Sequence, residues 1–258
     1  MRRFLPELLA LPILPFLLLQ GRATRRRTPR LPPAQGPEQG VAGKKFAGPS
    51  LSLVAVGESP VAGVGVSSHA EAITAQLAQA LSGRLQRPIA WQAHGRNGIT
   101  IGEAREQLLP AVAGKADIAL VAFGVNDTTA FRSAARWQGD LQAFLQDLQQ
   151  RCTPRLILLA GVPQMARFPA LPWPLRWIIG LKAATLDRVA REVAATLPHV
   201  HHVPLTIDPA DPGLMAVDGY HPSARGCIAW ATVLAHVCVS GLPSPEPVVG
   251  ANWIKPGA

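Results

Sequence analysis

The sequence predicts an α/β protein: a flavodoxin-like, three-layer α/β/α sandwich around a five-stranded parallel sheet. Three observations carry this. Five short apolar runs of strand length alternate with longer segments of helical apolar spacing. Most of the runs are continuously apolar, as strands covered on both faces are. The chain of 258 residues is 48% hydrophobic and only 16% charged, which is too apolar for disorder and too lightly charged for a coiled coil. Strands alternating with helices make βαβ units, whose crossovers are right-handed.

The elements follow in order. LSLVAVG (51–57) ends at a glycine and reads as the first strand; residues 69–84 then carry an amphipathic helix. PIAWQAHG (88–95) is the second strand, with a helix over 101–113. DIALVAFG (117–124) is the third, followed by a helix over 133–150 with Trp137, Leu141, Phe144, Leu145 and Leu148 on one side. RLILLAG (155–161) is the fourth, and 174–196 contains a helix. HVHHVPL (199–205) is the fifth, and the last helix runs from Ser223 to Val239. The folded domain is expected over 49–240. Before it come a leader (1–30) and a linker rich in Pro, Gly, Ala and Gln (31–48); after it comes a Pro-rich tail (241–258).

Net charge is unevenly spread. Residues 1–50 hold nine Lys/Arg against two Asp/Glu; the remaining residues hold sixteen against fourteen. The basic footprint is a tail and not a face, and the body has no aromatic-interleaved basic stripe, which argues against nucleic acid. The leader reads FLPELLALPILPFLLL (4–19), with Arg2 and Arg3 before it and Arg22, Arg25, Arg26, Arg27 and Arg30 after it. It is shorter than a spanning helix needs and carries Pro6, Pro12, Pro15 and Glu7. The favoured reading is a segment lying in the membrane interface with its arginines on anionic headgroups, which places the protein at the cytoplasmic face. A secretory signal cut near Gly21 or Ala23 and a disordered leader are the alternatives.

In parallel sheets function gathers beyond the carboxyl ends of the strands. There stand Gly57-Glu58-Ser59 after strand one, Gly95 to Thr100 after strand two, and Gly124-Val125-Asn126-Asp127 after strand three. Asp218-Gly219-Tyr220-His221-Pro222 opens the last helix at the same edge. Acyl transfer calls for this set. A serine hydroxyl needs a base, and the base needs a carboxylate to fix its tautomer. The tetrahedral intermediate needs hydrogen-bond donors. Ser59 is the candidate nucleophile, His221 the base and Asp218 its orienting acid. The backbone N–H groups of Ser59 and Gly98 and the amide of Asn126 are the candidate oxyanion donors.

The four segments resemble the SGNH/GDSL hydrolase family. Gly57-Glu58-Ser59 stands for its Gly-Asp-Ser block, and Gly124-Val125-Asn126-Asp127 matches its Gly-x-Asn-Asp block in full. Asp218 to Pro222 matches Asp-x-x-His-Pro. Gly95 and Gly98 both follow strand two; Thr100 favours Gly98 as the second-block glycine. The resemblance spans about Leu51 to Val239 and implies the same roles for Ser59, Asp218, His221, Gly98 and Asn126. It departs at Glu58, where the family carries Asp as a partner within the turn. It implies a serine esterase or lipase-like enzyme, with a lysophospholipase among the options, acting on a small-molecule or lipid ester without cofactor or metal. An acyltransferase, a carbohydrate deacetylase and a non-catalytic acyl-binding domain are the alternatives on the same fold.

Other features are weighed against plainer readings. PQMARFPALPWPLRWII (163–179) is expected either to bury as a loop and helix start, or to line the acyl pocket through Met165, Phe168, Trp173 and Trp177. Gly63-Val64-Gly65 hints at a dinucleotide loop, but Ser68 occupies the third glycine's place. His199, His201 and His202 alternate across a strand and lack a carboxylate or thiol cluster, so strand-end histidines are the plainer reading than a metal site. Cys152, Cys227 and Cys238 form no metal or disulfide pattern.

Overall fold

The structure is a computed structural model that describes residues 2–211 and 213–242. Of the Pro-rich tail read from the sequence, residues 243–258 lie outside the described residues. The chain begins with helices α1 (Leu5–Ala10) and α2 (Leu14–Arg27), joined by a 3-10 turn at Leu11–Ile13. Then come β1 (Gln39–Ala42), β2 (Leu51–Gly57), α3 (Ile73–Leu85), β3 (Ile89–Gly95), α4 (Ile101–Gln107) and β4 (Ile118–Ala122). They are followed by α5 (Val125–Thr129), α6 (Ala134–Cys152), β5 (Leu156–Ala160), α7 (Leu175–Ala194), β6 (Val200–Val203) and α8 (Ala224–Gly241).

The strands form one sheet in the order β1-β3-β2-β4-β5-β6. The five strands read from the sequence pair in parallel, and helices cover both faces. Alternation along β2 shows how one strand feeds both layers. Val54 and Val56 point into the core under α4, α6 and α7; Leu53 and Ala55 point into the core under α3 and α8. Local chemistry sets the helix starts. Thr100 and Glu103 form a capping box on α4, and the hydroxyls of Ser133 and Ser223 accept from the N–H groups of Arg136 and Gly226 at the heads of α6 and α8.

The five-strand expectation needs a correction. A sixth strand, β1, pairs antiparallel with β3 from within the stretch read as linker. Its four residues, Gln-Gly-Val-Ala, show no apolar alternation because it is an edge strand with one buried residue, Ala42.

The leader also folds. It runs as helix and lies against α7, with Pro6, Ala10 and Leu17 buried. Glu7 forms an ion pair with Lys182 of α7, whose side chain is fully buried, and the Lys182 ammonium sits 5.1 Å from the Phe131 ring centroid. Arg3 pairs with Glu192, also on α7. Among the described residues two helical stretches, Leu5–Arg27 and Ala224–Gly241, are long and apolar enough to cross a membrane by length and composition. The second is α8, one side of which is core. The first is compatible with membrane association or secretion.

Candidate active site

The carboxyl ends of β2, β3 and β4 open on one rim, and the turns that follow are bound to one another. Glu58 is buried behind the β2 turn. Its Oε1 accepts from the Val125 N–H at 2.9 Å, and its Oε2 accepts from the Asn126 N–H at 2.9 Å and from Asn126 Nδ2 at 2.5 Å. Burial pushes the Glu58 carboxyl up to about 8, against these donors, which favour its charged form. Asn126 Nδ2 also donates to the Ile99 carbonyl at 3.1 Å, and Asp127 Oδ2 accepts from the Ile101 N–H at 3.1 Å. The β4 turn thereby holds both the β2 turn and the β3 turn in register. Burial raises the Asp127 carboxyl to about 6.

The fourth segment carries the acid and the imidazole. Asp218 Oδ1 accepts from the Tyr220 and His221 N–H groups at 3.0 Å each, closing the loop on itself. Its Oδ2 lies 2.5 Å from His221 Nδ1, a geometry that favours the tautomer with its proton on Nδ1. Burial alone would raise the Asp218 carboxyl; the hydrogen bonds from the His221 ring and the two N–H groups outweigh it and hold the carboxyl below its ordinary range. The Tyr220 ring packs edge-on against Phe168 and His221, with centroids 5.3 and 5.4 Å away.

Ser59 and His221 line the same cleft, whose walls are mostly apolar: Phe168, Leu205, Ile207 and Leu214 among them. Among the described residues no hydrogen bond joins the Ser59 hydroxyl to His221, whose ring bonds Asp218 through Nδ1. Such contacts are commonly long before substrate arrives. Gly98 lies at φ +82° with open space where a Cβ would stand, so backbone conformation and not crowding calls for glycine there; it is not among the residues that line the cleft.

The remaining residues singled out from the sequence divide. Of the four proposed pocket residues, only Phe168 lines the cleft. Met165 is fully buried in the core, while Trp173 and Trp177 are exposed on the outer surface. They leave the cleft because the segment turns outward to meet the leader: Gln20 Nε2 donates to the Trp173 carbonyl. Asn126 reaches the rim, but both protons of its amide are engaged, one by Glu58 and one by Ile99. His202 pairs with Asp187 at 2.8 Å, whose Oδ1 also accepts from the Val162 N–H beyond β5; His199 and His201 are exposed. The three cysteines are free and buried, and burial pushes Cys227 and Cys238 up to about 12.

Sequence reasoning missed Gly65. It lies at φ +104°, and a Cβ there would stand 2.4 Å from the Pro222 carbonyl and 3.1 Å from the His221 Cβ. Gly65, the second glycine of the motif set aside as a failed nucleotide loop, is what lets the histidine loop close on the rim; a Cβ on Gly63 would meet Ala34 instead.

A mostly parallel sheet flanked by helices, with a serine turn, a Gly-x-Asn-Asp turn and an Asp–His loop on one edge, defines the three-layer fold of the GDSL/SGNH kind. The profile of the GDSL-like lipase/acylhydrolase family matches residues 55–227, and the chain belongs to that family. No curated sequence matches the chain. Among solved structures, it resembles a lipase from a goat rumen metagenome at TM-score 0.58 and 14% identity, covering 74% of this chain and 97% of that one. It also resembles a lipase/acylhydrolase from Enterococcus faecalis (TM-score 0.53, 19% identity, 76% and 100% covered). A third likeness is to a carbohydrate esterase of family 2, with its carbohydrate-binding domain, from Corynascus thermopiles (TM-score 0.56, 15% identity, 76% and 68% covered).

Proposed function

We propose that the protein is a serine hydrolase that cleaves carboxylic esters through an acyl-enzyme on Ser59. The observation that carries this reading is the Asp218–His221 pair, whose imidazole lines an apolar cleft that also holds Ser59. His221 Nε2 takes the Ser59 proton as the oxygen attacks the ester carbonyl. Asp218 fixes the ring and stabilises the imidazolium. The N–H groups of Ser59 and Gly98 meet the developing oxyanion. Asn126 joins them by turning one amide proton away from Glu58 or Ile99. The alcohol departs with the proton from His221, and water then repeats the sequence on the acyl-enzyme. The apolar lining favours an acyl chain over a sugar acetyl group.

Labelling the full chain with a fluorophosphonate and mapping the modified peptide tests the reading. Label on Ser59, lost in Ser59→Ala and His221→Ala, is expected. A chain that hydrolyses no short chromogenic ester and takes no label at Ser59 would overturn it in favour of a non-catalytic acyl-binding domain. Release of acyl groups only to an added sugar or lipid alcohol would make it a transferase.

A further inference from the structure

The leader helix has two opposed faces. One, with Pro6, Ala10 and Leu17, is buried against the body. The other carries Phe4, Leu8, Leu11 and Leu18, which recur at helical spacing and are all exposed, Leu11 at 69%. Gln20 joins this ridge to the body through the Trp173 carbonyl and the Leu175 N–H, at 2.9 and 3.1 Å. Beside it Trp173, 71% exposed, and Trp177 present their rings to solvent. Where the ridge ends, Arg22, Arg25, Arg26, Arg27 and Arg30 are exposed in succession. This basic end stands next to the histidine loop: Gln20, Thr24, Arg27, Pro172 and Asp218 border one surface groove, and the Arg25 charge acts on Tyr220.

We infer that the leader stays attached as a docked part of the fold, and that its outward ridge, with Trp173 and Trp177, is the seat for an anionic bilayer surface. The seat rests on the hydrolase reading only for what it accomplishes, which is to bring lipid esters to the mouth of the cleft. Retention follows from the Glu7–Lys182 pair. Cutting the leader off would strip a buried lysine of its counter-ion and uncover the core side chains beneath Ala10 and Leu17. A spanning orientation would have to pull the helix from α7 and carry Glu7 into hydrocarbon. The occupant follows from charge and chemistry. Large apolar side chains exposed together on one helix face mark an interaction surface. Residues 1–50 carry nine cationic side chains against two anionic ones, so two copies meeting on this face would repel one another. An anionic bilayer offers acyl chains to the leucines, an interface to the tryptophans and headgroups to the arginines.

The test uses the purified full chain and sucrose-loaded vesicles of phosphatidylcholine, with and without phosphatidylglycerol. The wild-type chain is expected to sediment with the anionic vesicles and to be released by added salt. Leu11→Ser and Leu18→Ser are each expected to weaken binding roughly tenfold or more, the change that withdrawing a leucine from lipid implies. Both are expected to keep their melting temperature and their hydrolysis of a soluble short-chain ester. Mass spectrometry of the protein from its native membrane or cell fraction should find residues 4–30 present. A chain cut at Gly21 or Ala23, sedimentation unchanged in both leucine variants, or a solution dimer that leaves anionic vesicles unbound would each overturn the inference. Ser59→Ala separates the two proposals: it should bind vesicles like the wild-type chain while losing turnover. If the wild-type chain binds anionic vesicles yet hydrolyses no ester, the hydrolase reading falls and the seat stands.

Discussion

Replacing Glu7 with glutamine removes the counter-ion of Lys182 and leaves the ammonium buried. The Lys182 side chain is fully buried and that of Glu7 is 30% exposed, although its Oε2 is buried without a hydrogen-bond partner among the described residues. Breaking a buried pair from one end costs about 3–5 kcal/mol. The partial exposure of Glu7 places this case at the lower end, about 3 kcal/mol. The cation–π contact with Phe131, at 5.1 Å, offsets only a part of that. For a chain of this length each kcal/mol lowers Tm by about 2–4 °C, so Glu7→Gln should melt roughly 6–12 °C below the wild-type chain. Circular dichroism melts, supported by urea midpoints, read the shift. The double variant Glu7→Gln/Lys182→Met removes the stranded charge and keeps an apolar stem of similar length; it should recover most of the loss. Glu7→Gln melting within about 1 °C of the wild-type chain would refute the reasoning, because Lys182 would then not depend on the leader.

Two further expectations concern the cleft and its supports. Phe168→Ala should flatten the preference among p-nitrophenyl esters of increasing acyl length, by roughly tenfold in relative kcat/KM, whereas Trp173→Ala should leave that preference in place because Trp173 faces outward. Glu58 sets a pH dependence of stability. Its folded value of about 8 lies above the ordinary 4.5, so the fold binds its proton more tightly than the unfolded chain does. Its contribution is therefore fully present below about 4.5 and is lost as pH rises towards 8. Melting temperatures measured between those values should fall with pH for the wild-type chain more steeply than for Glu58→Gln; parallel curves would remove Glu58 as the cause.

The sheet was legible because its central strands are apolar throughout: every residue of β4 and of β5 is buried, and no soluble helix face reads that way. Three turns of the candidate site were legible because they follow β2, β3 and β4 directly; the Asp218–His221 loop lies well beyond β6 and was legible from its own residues and the helix they open. The parts that were not legible are contacts between residues distant in sequence. Lys182 reads as an ordinary lysine on an amphipathic helix until Glu7, from the far end of the chain, is placed against it. Glu58 looks like a lengthened aspartate in the serine turn. Only the fold shows that the extra methylene carries its carboxylate onto the N–H groups of Val125 and Asn126 and onto the Asn126 side chain. The strand at 39–42 gave no signal because a four-residue edge strand has too little buried surface to pattern its sequence. Trp173 and Trp177 were drawn towards the pocket by their size, and large aromatic residues serve an exposed surface equally well.

The pairing of Glu7 with α7 also orders events in time. Residues 4–27 are made about 150 residues before the helix that receives them, and ribosomes add roughly 5–20 residues per second. For several seconds the newborn leucines have no partner of their own chain. Whatever greets them during that delay, whether a chaperone or a membrane surface, competes with a docking site that translation has yet to deliver.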